Sequence, residues 1–208
     1  MYEYMESVIV KNKSNHSFDH FYNYRFPYVG ESKFDSYIED VISQQLIKYQ
    51  KALPTLDNDE EWERSDRLSN KAVGDFYISL VTKDIISGYL TFHSTTEPRT
   101  STVTFTFDRN KNKFYKIREI WKKDFNFSYF LKSLLENQKR AIIAKETPVV
   151  RKLLKDVSFS YYNLTEQGIV FFTDYNFIYG RRHILIPYDE ISGFIDDKSL
   201  SNFIKERS

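Results

Sequence analysis

Residues 18–26, FDHFYNYRF, set Phe18, His20, Tyr22, Tyr24 and Phe26 at alternate positions against Asp19, Phe21, Asn23 and Arg25. A period of two sends successive side chains to opposite faces, so this stretch predicts a β-strand, and Val8, Ile9 and Val10 predict another before it. The period then changes. In ESKFDSYIEDVISQQLIKYQKAL, Phe34, Ile38, Val41, Ile42, Leu46, Tyr49 and Leu53 recur every three or four residues, which aligns them on one side of a helix of about five turns. Ser32 and Asp35 stand at capping-box spacing, with Asp in place of the usual Glu, and Pro54 lies just past the end.

The run PTLDNDEEWERSDR is highly charged and reads as a solvated connection. After it, FYISLVTKDIISGYLTFHS predicts two strands. In STVTFTFD the alternation is cleanest: Val103, Phe105 and Phe107 oppose Thr102, Thr104 and Thr106, a pattern expected of one covered and one wet face. DRNKNK reads as a polar turn and FYKIREIW as the returning strand of an antiparallel meander. From Asp124, Phe127, Phe130, Leu131, Leu134, Leu135, Ala141 and Ile142 return to helical spacing, which must end before Pro148, and VVRKLLKDV offers a further short amphipathic helix. FSYYNLTEQGIVFF predicts two strands turning near Gly168, and DEISGFI a last short helix. There is no tandem repeat.

This order predicts an α+β fold, an antiparallel β-sheet with helices packed on one face. The expected organisation is an amino-terminal strand and helix module over residues 1–56, a charged linker or loop over 57–70, and a sheet and helix domain over 71–208. These form one large domain or two closely packed subdomains.

A chain of 208 residues buries roughly 70% of its unfolded surface on folding, enough for a sizeable core. Aromatic side chains make up 17% of the sequence and must supply surface as well as core. Thirty basic side chains against 29 acidic ones leave a formal charge of +1, too weak a field to point to nucleic acid or an anionic membrane. The absence of cysteine excludes disulfides, thiolate metal sites and a cysteine nucleophile. No apolar run reaches the roughly 20 residues a membrane span needs, and the opening MYEYMESVIV lacks the features of a signal peptide. With six glycines and no nucleophile elbow or dinucleotide fingerprint, enzymatic activity and a bound cofactor are not expected.

TFDRNKNKFYKIREIW, a helix, FSYYNLTEQGIVFFTDYNF and then HILIPYDEI follow one another in this chain. In that order and spacing they resemble the domain of lysozyme-sensing anti-sigma factors of the RsiV type, also found in accessory regions of peptidoglycan deacetylases. YNYRFPYVGESKFDSYIEDVI is similar to the companion module of that family, so the resemblance spans roughly residues 18 to 195. One departure stands out. The family's Gly-Gly-Ala-His turn is replaced by SGYLTFHSTTEPRTS, with Gly88 and His93 as scattered remnants, so that turn must be rebuilt without its glycine freedom. The resemblance implies an extracytoplasmic, cell-envelope location and a non-enzymatic role in binding a protein such as lysozyme or another cell-wall hydrolase. An immunity-type inhibitor of such an enzyme is physically equivalent.

The candidate contact loop is TDYNFIYGRR, carrying Tyr175, Phe177, Tyr179, Arg181 and Arg182, residue types with the area and planar donors of interface anchors. The competing reading is a hairpin connection whose rings tuck onto the sheet. In ILIPYDE, Pro187 is expected to end a strand and Asp189 to cap the last helix. His16 and His20 are spaced for a metal on a helix, but the surrounding alternation argues for strand and no third ligand is evident, so no metal is expected. Asp57, Asp59, Glu60 and Glu61 lie in the charged run and read as solvated carboxylates rather than a glycosidase pair. Two alternatives to a protein partner remain: peptidoglycan itself, stacked on tyrosines, or a carbohydrate-active hydrolase whose carboxylates converge only in the fold.

Overall fold

The computed structural model describes residues 8–16, 20–53, 70–126, 129–130, 161–172, 183–196 and 200–207. Six strands, β1 (Ile9–His16), β2 (His20–Tyr28), β3 (Asn70–Val81), β4 (Ile85–Ser94), β5 (Glu97–Asp108) and β6 (Lys113–Phe114), form one sheet in that spatial order. Neighbours are antiparallel except β2 and β3, which run parallel. Parallel strands need a crossover, and helix α1 (Ser32–Ala52) lies within it. The strands on either side of the expected linker are therefore hydrogen-bonded neighbours, while residues 54–69 lie outside the described residues.

Helix α1 covers one face of this sheet. Its Phe34, Ile38, Val41, Ile42 and Tyr49 share a core with Tyr24, Phe26, Ala72, Ile86, Leu90, Phe92, Phe105 and Phe107. The Phe34 ring meets those of Phe105 and Phe107 at 5.4 and 5.6 Å, edge to face, the arrangement the aromatic quadrupole favours. Near the other end of α1 the Tyr49 hydroxyl donates to the Asn70 carbonyl at 2.7 Å and lies 3.3 Å from that of Phe21. It thereby ties α1 to the start of the parallel pair. The expected capping box does not form: Glu31 occupies the N-cap and Ser32 is the first helical residue. Gly30, at φ 77°, turns the chain, and Asp35 accepts the N–H of Val29 at 2.9 Å instead.

The opposite face meets a second antiparallel sheet, β7 (Tyr162–Leu164), β8 (Gly168–Phe172) and β9 (His183–Pro187). Helices α2 (Tyr188–Ile191) and α3 (Ser201–Lys205) follow it. β7 touches the large sheet edge-on. Its hydrogen bonds to β8 engage the residues on either side of Leu164 and Tyr162, so the N–H and C=O of Leu164 point away from β8. Ser87 accepts that N–H at 2.8 Å and Ser79 donates to that carbonyl at 2.7 Å. Ser79 is the extra residue of a bulge, because Ile78 pairs with Gly88 and Leu80 with Ser87. The bulge also turns Leu80 into a second core with Ile85, Tyr162, Leu164, Ile169, Phe171, Ile186, Tyr188 and Ile204.

An α+β architecture with a large antiparallel sheet is thus present, with helix on one face and a smaller sheet and short helices on the other. The threonine side of β5 is a correction. Thr102 and Thr106 are 6% and 0% exposed, and Thr106 Oγ1 lies 2.9 Å from Ser87 Oγ beneath β7. Alternation separated the two sides correctly, but neither is wet there. The strand expected in FYKIREIW shrinks to β6 and a 3-10 turn at Ile117–Glu119, because Tyr115, Ile120 and Trp121 leave the ladder for the second core. Pro187 does end β9, but Asp189 is not a cap: Pro187 holds the N-cap position and the Asp189 carboxylate accepts from its neighbour Glu190 at 3.0 Å. The helices expected from Asp124 onward fall almost wholly outside the described residues. Among the described residues no helix is long and apolar enough to cross a membrane.

Candidate functional site

The loop residues Tyr175, Phe177, Tyr179, Arg181 and Arg182 lie outside the described residues, as do Asp57, Asp59, Glu60 and Glu61. The strands on either side of the loop are placed: Phe172 of β8 pairs with His183 of β9. His16 and His20 are not a metal pair. His16 sits opposite Phe21 across the β1–β2 hairpin, with ring centroids 5.7 Å apart, which puts it on the face that His20, one residue before Phe21, turns away from. Among the described residues no three metal-binding side chains converge.

Gly88 and His93 both lie in β4, and the turn to β5 is made by Thr95 and Thr96. Gly88 serves packing there. A Cβ at this position would come within 2.2 Å of the Tyr77 carbonyl oxygen and 2.9 Å of the Phe105 ring.

Because β7 docks by its edge, it covers only the part of the face around Ser79, Ser87 and Thr106. Further along β2 to β5 a concavity of about 230 Å³ remains, lined by Asn23, Arg25, Val73, Gly74, Asp75, Thr91, His93 and Thr100. Strand period and register put these side chains together: Asn23 pairs with Val73, Val73 with His93 and Asp75 with Thr91. Arg25 and Asp75 form an ion pair at 3.5 Å with both side chains more than half exposed, which contributes little to stability. Asn23 Oδ1 has no hydrogen-bond partner among the described residues although the atom is shielded, an arrangement that costs about 1–3 kcal/mol.

An aromatic row borders the concavity. Tyr77 follows Val73 and Asp75 on the same side of β3 and is 54% exposed. Its ring lies 5.3 Å from Tyr89, which lies 5.2 Å from Phe172, which lies 6.0 Å from Tyr161. The surface therefore offers planar hydrogen-bonding groups beside an open ring and the exposed Val73. Among the described residues Asp75 is the single carboxylate lining the concavity, so these residues do not supply the two acids of a glycosidase.

Buried hydroxyls elsewhere are structural. Burial pushes the Tyr24 hydroxyl up to about 12 and raises those of Tyr162 and Tyr188 as well. Tyr188, the tyrosine of ILIPYDE, donates to the Thr165 carbonyl at 2.7 Å and clamps the β7–β8 turn.

Sequence reasoning passed over the residues of the concavity. The alternation of Val73, Asp75 and Tyr77 against Ala72, Gly74 and Phe76 is a readable signal for a shared face. The adjacency of β2 to β3, which brings Asn23 and Arg25 beside them, has no such local mark.

No protein-family model matches the chain, and no curated protein matches it. Solved structures do. A DUF3298 family protein from Pseudomonas aeruginosa superposes with a TM-score of 0.63 at 12% identity, covering 91% of this chain and 93% of that one. A member of the same family from Bacteroides fragilis gives 0.62 at 17% identity and covers 96% of each chain. The chain shares the fold of these proteins over nearly its whole length.

Proposed function

We propose that this chain is a non-enzymatic binding domain of the cell envelope, related to the RsiV-type lysozyme-sensing modules, whose partner is lysozyme or another cell-wall hydrolase. One observation carries the reading. Segments on which the resemblance rests fall as β7, turn and β8, then β9 and α2, within a fold shared with DUF3298 family proteins. In this reading the loop from 174 to 182 supplies aromatic and arginine anchors to a concave, acid-containing cleft on the partner. Affinity comes from a few desolvated side chains and complementary charge.

The test is direct binding of the purified chain to lysozyme by surface plasmon resonance, beside a pull-down on purified peptidoglycan. A variant combining Phe177→Ala, Tyr179→Ala and Arg181→Ala is expected to lose lysozyme binding with its thermal midpoint unchanged. Unchanged affinity in that variant removes the loop from the proposal. Capture by peptidoglycan with no response to lysozyme replaces the partner.

A further inference from the structure

The 230 Å³ concavity on the large sheet is lined by residues of β2 to β5. Its size limits the ligand. It falls below the roughly 300–1,000 Å³ of pockets for drug-sized molecules, and a single pyranose ring displaces about as much volume as six waters at ~30 Å³ each.

Its chemistry narrows the class further. Arg25 and Asp75 carry opposite charges 3.5 Å apart, so the pair creates no net field that would select an anion or a cation. Asn23, Thr91 and Thr100 add groups that donate and accept. Beside these polar groups stand exposed apolar surfaces, Val73 at 44% and the Tyr77 ring at 54%, the latter backed by Tyr89. A purely apolar ligand would leave the polar side chains unsatisfied, and an ion would leave the ring and Val73 unused. A sugar matches both halves: its hydroxyls donate and accept toward planar forks, and its C–H face lies on an aromatic or aliphatic surface.

We infer that this face carries a subsite for one neutral saccharide ring, held by Arg25 and Asp75 and laid against the Tyr77 ring two residues further along β3. It does not depend on the protein-partner reading. A wall hydrolase and a wall glycan could be engaged by different parts of one molecule, the loop for the first and the sheet face for the second.

The probe is the trisaccharide of β-1,4-linked N-acetylglucosamine, titrated into isotope-labelled protein and followed by amide chemical shifts. Saturating shifts centred on Arg25, Asp75 and Thr91 are expected, with a dissociation constant on the order of 1 mM. Asp75→Ala and Tyr77→Ala should each weaken binding about tenfold or more while keeping dispersed spectra, because both side chains are exposed. Lys83→Ala, at an exposed bend away from the concavity, should change nothing. No shifts at ~10 mM sugar, far above that constant, overturn the inference; so do shifts centred elsewhere or affinity indifferent to Asp75 and Tyr77. The triple loop variant separates the two proposals. It should lose lysozyme and keep the sugar response, whereas Asp75→Ala should do the reverse.

Discussion

Ser79 donates its hydroxyl to the carbonyl of Leu164 at 2.7 Å, joining a bulge in β3 to the outer edge of β7 across 85 residues of chain. Ser87 accepts the N–H of the same leucine at 2.8 Å. Two small hydroxyls thus satisfy an edge strand that would otherwise bury bare backbone groups. They allow a sheet to stand on the face of another.

Removing either hydroxyl should be expensive for its size. Ser79→Ala and Ser87→Ala are each expected to lower unfolding free energy by about 1–3 kcal/mol, since each strands a polar group of Leu164. Urea titration measures this, and the double variant should fall short of the sum because both serines serve one residue. Losses within experimental error would mean that water replaces both contacts.

Gly88→Ala tests the close approach of β3 and β4. A Cβ 2.2 Å from the Tyr77 carbonyl oxygen forces strands apart, and a loss of about 1–3 kcal/mol or more is expected. Thermal unfolding would report it, together with faster hydrogen exchange at Tyr77 and Tyr89, the pair next to Gly88 and its partner Ile78.

Tyr49→Phe removes the hydroxyl that donates to Asn70 at 2.7 Å while keeping the ring in the α1 core. A loss of about 1 kcal/mol is expected, concentrated in amide exchange at the start of β3. Uniform exchange changes over the whole sheet would count against so local a role.

Asp35 supplies a pH dependence. Burial raises its carboxyl above the ordinary 3.8, against opposing hydrogen bonds from Val29 and Gly30. The folded state then binds this proton more tightly than the unfolded state does. The linked stability is fully present below the ordinary value and is lost as pH rises through the raised one. Asp35→Asn is therefore expected to exceed the natural chain in stability at about pH 7 and to lose that advantage toward about pH 3. Denaturant midpoints across that range decide it; an advantage that does not vary with pH sinks the assignment.

Much of this molecule could be read from spacing alone. Alternation located β2 and β5, the run from Phe76 to Ser94 marked β4 and the second half of β3, the three-to-four repeat located α1, and the punctuation around Gly168 and Pro187 placed β7, β8 and β9. These signals are local, because the chain's own geometry decides which side chains share a side. Covalent spacing does not decide what comes to lie against a given side. Thr106 looks wet in sequence and is buried because a distant hairpin stands over it and Ser87. Arg25 and Asp75 meet because a crossover sets β3 parallel to β2. Both outcomes depend on satisfying backbone groups and burying rings between segments far apart in the chain, and only the assembled tertiary structure balances those demands.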